Sequence, residues 1–235
     1  MFVPRRAQGT EIPLLNRFSL KERVYVKNCR RTSFPGRSCL VFFKQFMAKP
    51  GQIGSVTPSS HYLVEEMLSR TDWSQVRRAV ELGAGTGVLT AQILRRLDQK
   101  KSLTVFELDK KLRDELKSSL HIDVCENAED LPRFLEPHSV DIILSSLPWT
   151  TLPRRCSFNI LRGILQCLRP DGQFIAFQYS WQMYRLFKEL FQSVKISFVL
   201  RNVPPAFVYD CRMPGQDAPR ALNRFYDQHV PPRSR

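Results

Sequence analysis

Acidic residues are scarce at one end of this 235-residue chain: the first fifty positions hold only Glu11 and Glu22 against eleven Lys and Arg. Histidine is scarce throughout, with four in all, and the six cysteines (Cys29, Cys39, Cys125, Cys156, Cys167, Cys211) stand apart from the histidines and from one another. With no C-x-x-C pair, neither a zinc site nor a disulfide framework is expected, and a reducing cytoplasm fits best. No apolar run approaches the roughly 18 residues that span a bilayer, and no signal-peptide core follows Met1. The expectation is a soluble or peripheral protein without a metal.

What is abundant is positive charge. A formal net charge of +14 concentrates polyanions at the surface, which in a cell means nucleic acid or an anionic membrane face. Because the excess crowds before Lys49, the partner is expected to meet the amino-terminal side. The length suits one large α/β domain with a full core.

Three regions are expected: a basic extension over 1–37, broken by Pro and Gly; a domain over 38–211; and a loose polar tail over 212–235. In "SCLVFFKQFMAK", Cys39, Leu40, Phe43, Phe46 and Met47 share one helical face. Such a basic, Phe-rich helix suits either a membrane interface or the cover of a sheet. Thr57 and Pro58 then read as the cap and first residue of a helix reaching about Arg70, with Tyr62, Leu63, Met67 and Leu68 as its apolar stripe. From Arg78 strands alternate with helices: strands are expected over 78–82, 103–108, 122–125, 141–145, 173–178, 194–200 and 206–211. Alternation of this kind predicts an α/β fold with a mostly parallel seven-stranded sheet and helices on both faces. The last two strands lack a helix between them and are expected to pair as an antiparallel edge hairpin. Ligands in such folds sit at the carboxyl ends of the strands.

The first strand runs into "ELGAGTGVLT". Gly83, Gly85 and Gly87 carry no Cβ, so a ligand can lie against the backbone, and the helix that follows offers free N–H groups. The spacing is neither G-x-G-x-x-G nor a P-loop, which sets aside nicotinamide and nucleotide-phosphate sites. Glu107, about 20 residues on at the end of the second strand, is placed to accept both hydroxyls of a ribose. A nucleoside without phosphates is indicated.

On these residues the chain resembles the class I S-adenosylmethionine-dependent methyltransferases, whose glycine loop reads E/D-x-G-x-G-x-G, as in Glu81 to Gly87. The resemblance implies a Rossmann-like fold and S-adenosyl-L-methionine as cofactor. By it, Glu81 and the Gly83, Ala84, Gly85 and Gly87 backbone hold the methionine part, Glu107 the ribose, Asn127 and Ala128 the adenine, and Ser145 borders the cofactor.

"SSLPW", after the fourth strand, borders the methyl acceptor in that fold. Methyltransferases of amino nitrogens commonly carry N/D-P-P-Y/F there; here Ser146-Leu147-Pro148-Trp149 fills the frame, and Ser146 is a smaller hydrogen-bonding group than Asn. A flexible aliphatic amine demands less than a planar base, and its methylated cation would be drawn to an indole face. Trp149 reads either as a core filler or as that face, and the rarity of fully buried Trp favours the second. Tyr179 in "FQYS" or His61 in "SSHY" is placed to assist the amine.

"FFKQFMAKPGQIGSVTPSS", "FIAFQYS" and "NVPPAFVY" extend the resemblance to the soluble bacterial phospholipid N-methyltransferases, which convert phosphatidylethanolamine to phosphatidylcholine. This implies Ser146, Trp149 and Tyr179 as acceptor-side residues, a phospholipid substrate, and peripheral attachment to the inner face of the cell membrane. The alternatives are an RNA adenine N-methyltransferase, which the basic surface also suits, and an ornithine-lipid N-methyltransferase.

Overall fold

The structure is a computed structural model that describes residues 60–98 and 102–227. The basic extension, the Phe-rich stretch and the Thr57–Pro58 helix start lie outside the described residues. Helix α1 (His61–Leu68) takes Ser60 as its cap, whose Oγ accepts from Leu63 N at 3.2 Å. Its buried residues Leu63, Val64, Met67 and Leu68 fall on one face, the i, i+1, i+4, i+5 pattern of a helix lying on a sheet.

The remaining elements follow the expected alternation: β1 (Arg78–Leu82), α2 (Val88–Arg96), β2 (Ser102–Phe106), α3 (Lys110–Leu120) and β3 (Val124–Cys125). A 3-10 turn (Ala128–Asp130) leads into α4 (Leu131–Phe134), β4 (Val140–Ser145) and α5 (Arg154–Cys167). Then come β5 (Leu168–Gln178), α6 (Tyr184–Leu190), β6 (Phe191–Val199), β7 (Ala206–Pro214) and α7 (Ala218–Asp227). The sheet order is β3-β2-β1-β4-β5-β7-β6. Strands β1 to β5 pair in parallel, and β7 inserts antiparallel between β5 and β6.

Two apolar layers cover the two faces. Leu63 and Met67 of α1, Leu89 and Ile93 of α2 and Leu116 of α3 lie in one. Leu131 of α4, Ile160 and Leu161 of α5, Phe187 of α6 and Leu222 of α7 lie in the other. Burial on both faces explains the near-continuous apolar runs of the central strands. Strand order reverses between β1 and β4, and a crevice opens at the carboxyl ends of strands at such a switch.

Two expectations are corrected. The loose tail does not begin at Arg212: β7 continues through Pro214, and α7 packs with Ala218, Ala221 and Leu222 buried. Pro214-Gly215 and Pro219 read as breakers in the sequence, yet Pro219 falls in the first turn of α7, where its missing N–H removes no helical bond. Cysteine chemistry also departs from expectation at one place: Cys125 is disulfide-bonded, while Cys156, Cys167 and Cys211 are buried and make no disulfide. Among the described residues no helix is long and apolar enough to cross a membrane, and no group of His, Cys, Asp and Glu is arranged to hold a metal.

Candidate active site

The glycine loop is tied down from below, where Gly83 N and Ala84 N both donate to Phe106 O, at 2.8 and 3.2 Å. Gly83 and Gly85 have φ of +79° and +56°, a region that favours glycine. A Cβ on Gly83 would stand 3.0 Å from Leu147 Cδ2, so the loops after β1 and β4 approach closely there; one on Gly85 would meet nothing within 4 Å. The loop therefore opens onto free space at Gly85.

Glu107, 1% exposed, holds that opening in shape: its Oε2 accepts from Gly85 N at 2.8 Å and its Oε1 from Asp109 N at 2.9 Å. Burial pushes its carboxyl above the usual range, and the backbone N–H groups of Asp109 and Gly85 pull it back. Each oxygen keeps a second lone-pair direction, enough for the two hydroxyls of a ribose. The guanidinium of Arg113 fixes the end of β2 by donating to Glu107 O and Leu108 O at 2.9 and 2.6 Å.

Glu81 is fully buried, and neither of its oxygens has a hydrogen-bond partner of good geometry. Burial raises its pKa to about 8; the nearby Thr90 hydroxyl favours the charged form, though short of a well-formed bond, and the Glu107 charge opposes it. An orphaned carboxyl beside an open glycine loop suits a cation, which fits the ammonium end of S-adenosylmethionine. A narrow cleft continues past Gly83, with Phe106, Leu108, Leu147, Leu152 and Ile160 as apolar walls and Glu126, Asn127 and Ala128 along its other side. Such a slot suits the flat faces of an adenine. Asn127 Oδ1 already accepts from Glu129 N at 3.0 Å, capping the 3-10 turn, so its role in holding that turn is built in.

On the acceptor side the structure corrects one reading outright. Trp149 is 3% exposed and meets the rings of Phe174 and Phe187 edge-on, with centroids 6.0 and 6.4 Å away. The chain doubles back at Pro148, whose carbonyl accepts from Leu152 N at 3.1 Å, and this turn swings residue 149 under the loop. Its Nε1 donates to Ser145 Oγ at 3.1 Å, which also accepts from Leu147 N at 3.3 Å. The indole is thus a core anchor with no face turned to an acceptor, and the fully buried Ser145 shapes the turn from within.

Ser146 is half-buried at the lip and donates its N–H to Leu82 O at 2.9 Å. Tyr179 is 47% exposed on the outer rim. Burial pushes its phenol upward, with the nearby Asn202 side chain pulling back, so at neutral pH it is a donor and not a base. His61 is exposed at the start of α1.

The sequence reading brought Glu81, Gly83, Ala84, Gly85, Gly87, Glu107, Asn127 and Ala128 to one crevice; the structure places them around the switch between β1 and β4. It missed the cleft walls Leu108, Leu147, Leu152 and Ile160. It also missed Gln178, 4% exposed, whose Nε2 donates to Leu147 O at 2.8 Å and pins the lip to β5. The signal for Gln178 was a lone amide ending an apolar strand.

Residues 80–176 match the methyltransferase domain family. The chain is 31% identical over 181 residues to the ornithine lipid N-methyltransferase of Singulisphaera acidiphila, an overlap of 73% of this chain and 94% of that protein. The crystal structure of TrmN from Thermus thermophilus has the same fold, with a TM-score of 0.52 at 18% identity, over 72% of this chain and 53% of the other. A SAM dependent methyltransferase from Aquifex aeolicus superposes with a TM-score of 0.49 at 12% identity, over 64% and 89%. Kinship with one relative across nearly its whole length, and the domain match that runs from β1 into β5, make this chain a member of the class I S-adenosylmethionine-dependent methyltransferases.

Proposed function

We propose that the protein methylates the amine of a membrane aminolipid stepwise, working on an anionic membrane at its cytoplasmic face. One observation carries this reading: the likeness spans 94% of a protein named for N-methylation of ornithine lipid, so it includes the acceptor half and not the cofactor half alone. The lip agrees with it. With Trp149 buried and Ser146 where a base-methylating enzyme carries Asn or Asp, the described residues of this lip offer no aromatic platform and amide pair for a planar base. Ornithine lipid is the first acceptor to test; phosphatidylethanolamine, implied by the sequence resemblance, shares the flexible amine and is the second.

S-adenosylmethionine supplies an electrophilic methyl group. The chain's own part is to hold and align: Glu81 and the loop backbone for the methionine end, Glu107 for the ribose, and the Asn127–Ala128 side of the cleft for the adenine. Ser146 and the protonated Tyr179 hydroxyl orient the headgroup. The amine must be neutral to attack, and leaving water at an apolar mouth favours its neutral form before alignment lowers the barrier further. With Tyr179 kept protonated, the departing proton goes to solvent.

Methyl transfer from radiolabelled S-adenosylmethionine tests the reading against vesicles of ornithine lipid, vesicles of phosphatidylethanolamine and total RNA in parallel. Label is expected in a lipid fraction. Label in RNA alone overturns the proposal.

A further inference from the structure

The carboxyl edge of the sheet carries an apolar rim outside the cofactor crevice. Gln178 with Phe207 is the last pair of β5 on β7, and Val199 with Ala206 the last of β6 on β7, so the turns after β5 and β6 leave the sheet on the same edge. Helix α1 joins them: Ser60 N donates to Asn202 Oδ1 at 3.0 Å, and the Arg201 guanidinium lies 5.0 Å from the Tyr62 ring centre. The Asn202 side chain also lies beside Tyr179. On this rim Tyr62 is 50% exposed, Trp181 71%, Leu200 71% and Val203 76%.

Large apolar side chains this open at neighbouring positions mark a docking surface. Their company says what docks. Residues 60–64, 179–184 and 199–207 contain no Asp or Glu, and Arg201 stands among them in a chain of net charge +14. Aliphatic tips, amphipathic rings and a cation without acids match a bilayer interface, where indole and phenol sit at headgroup level and cations meet anionic lipid.

We infer that this rim seats the protein on an anionic lipid bilayer, with Leu200 and Val203 among the acyl chains, Trp181 and Tyr62 at headgroup depth and Arg201 on lipid phosphate. Its purpose rests on the aminolipid reading: seated so, the mouth at Ser146 and Tyr179 faces the membrane, and the acceptor amine reaches it without leaving the lipid.

The test uses the full chain and vesicles of phosphatidylcholine with or without phosphatidylglycerol, free of any amine substrate. The wild type should sediment with the anionic vesicles and shift its Trp emission to the blue, and Trp181→Phe should abolish the shift. The double variant Leu200→Ser/Val203→Ser, checked for an unchanged melt, should bind at least about tenfold more weakly. It should lose activity on vesicles in proportion while keeping activity on aminolipid in detergent micelles. Binding within roughly twofold of wild type, or vesicle binding without a Trp181 shift, overturns the inference, as does loss in the variant of self-association in place of vesicle binding. A wild type that docks as described yet methylates lipid in neither format overturns the aminolipid reading alone.

Discussion

Replacing Trp149 by alanine removes a ring held edge-on by Phe174 and Phe187 and the donor to Ser145 Oγ. Truncating a buried Trp costs about 3–5 kcal/mol. At roughly 2–4 °C per kcal/mol for a domain of this size, the melting temperature should fall by about 6–20 °C. Trp149→Phe keeps the ring contacts and leaves Ser145 Oγ with Leu147 N, so it should cost only about 1 kcal/mol. Since the indole presents no face to the acceptor, every successive methylation should decline together, in step with the folded fraction. Thermal melts followed by circular dichroism, beside products resolved by methyl number, read both effects. A Trp149→Ala protein that melts like the wild type and loses only the later methylations would refute the argument, because that pattern needs an indole facing a methylated cation.

Glu107→Gln leaves one oxygen for the two backbone donors that the carboxylate now satisfies, so affinity for S-adenosylmethionine should fall by ~10- to 150-fold, one charged hydrogen bond's worth; calorimetric titration giving an affinity within about threefold of wild type contradicts the ribose assignment. Glu81, raised to about 8 from 4.5 by burial, binds a proton in the folded state that the unfolded chain releases. Its contribution to stability is full below pH about 4.5 and is lost as pH rises to about 8, so Glu81→Gln should flatten that slope in urea titrations run across the window. S-adenosylmethionine binding near neutral pH should release a proton from Glu81 as its cation arrives, seen as a binding enthalpy that varies with buffer ionisation; no variation speaks against the pairing. Gly85→Ala should cost about 1 kcal/mol in stability for a positive φ, since its methyl meets nothing within 4 Å. Its affinity for S-adenosylmethionine should drop far more, and equal affinity would show that the ligand does not lie against this residue.

Much of the site was readable because its chemistry is local. Glu81 to Gly87 and Glu107 sit at strand ends, and strand ends were set by the switch from apolar runs to glycine or acid. The apolar stripe of α7 at Ala218, Ala221, Leu222 and Phe225 was equally regular, but its prolines masked it. Trp149 was misread for another reason: the turn at Pro148 is visible in the sequence, yet the direction in which it throws the next side chain depends on Phe174 and Phe187, which arrive from β5 and α6.

The sequence by itself determined the alternation of strands and helices, the edge hairpin and the glycine loop, since each follows from periodicity and backbone freedom within a few residues. Tertiary structure alone decided which polar groups face one another. Gln178 reaches Leu147 O across 31 positions and Ser60 N reaches Asn202 across 142, and the lip and the rim exist only where those distant segments meet. Side-chain partners of that kind are chosen by the packing of the sheet and not by their neighbours in the chain.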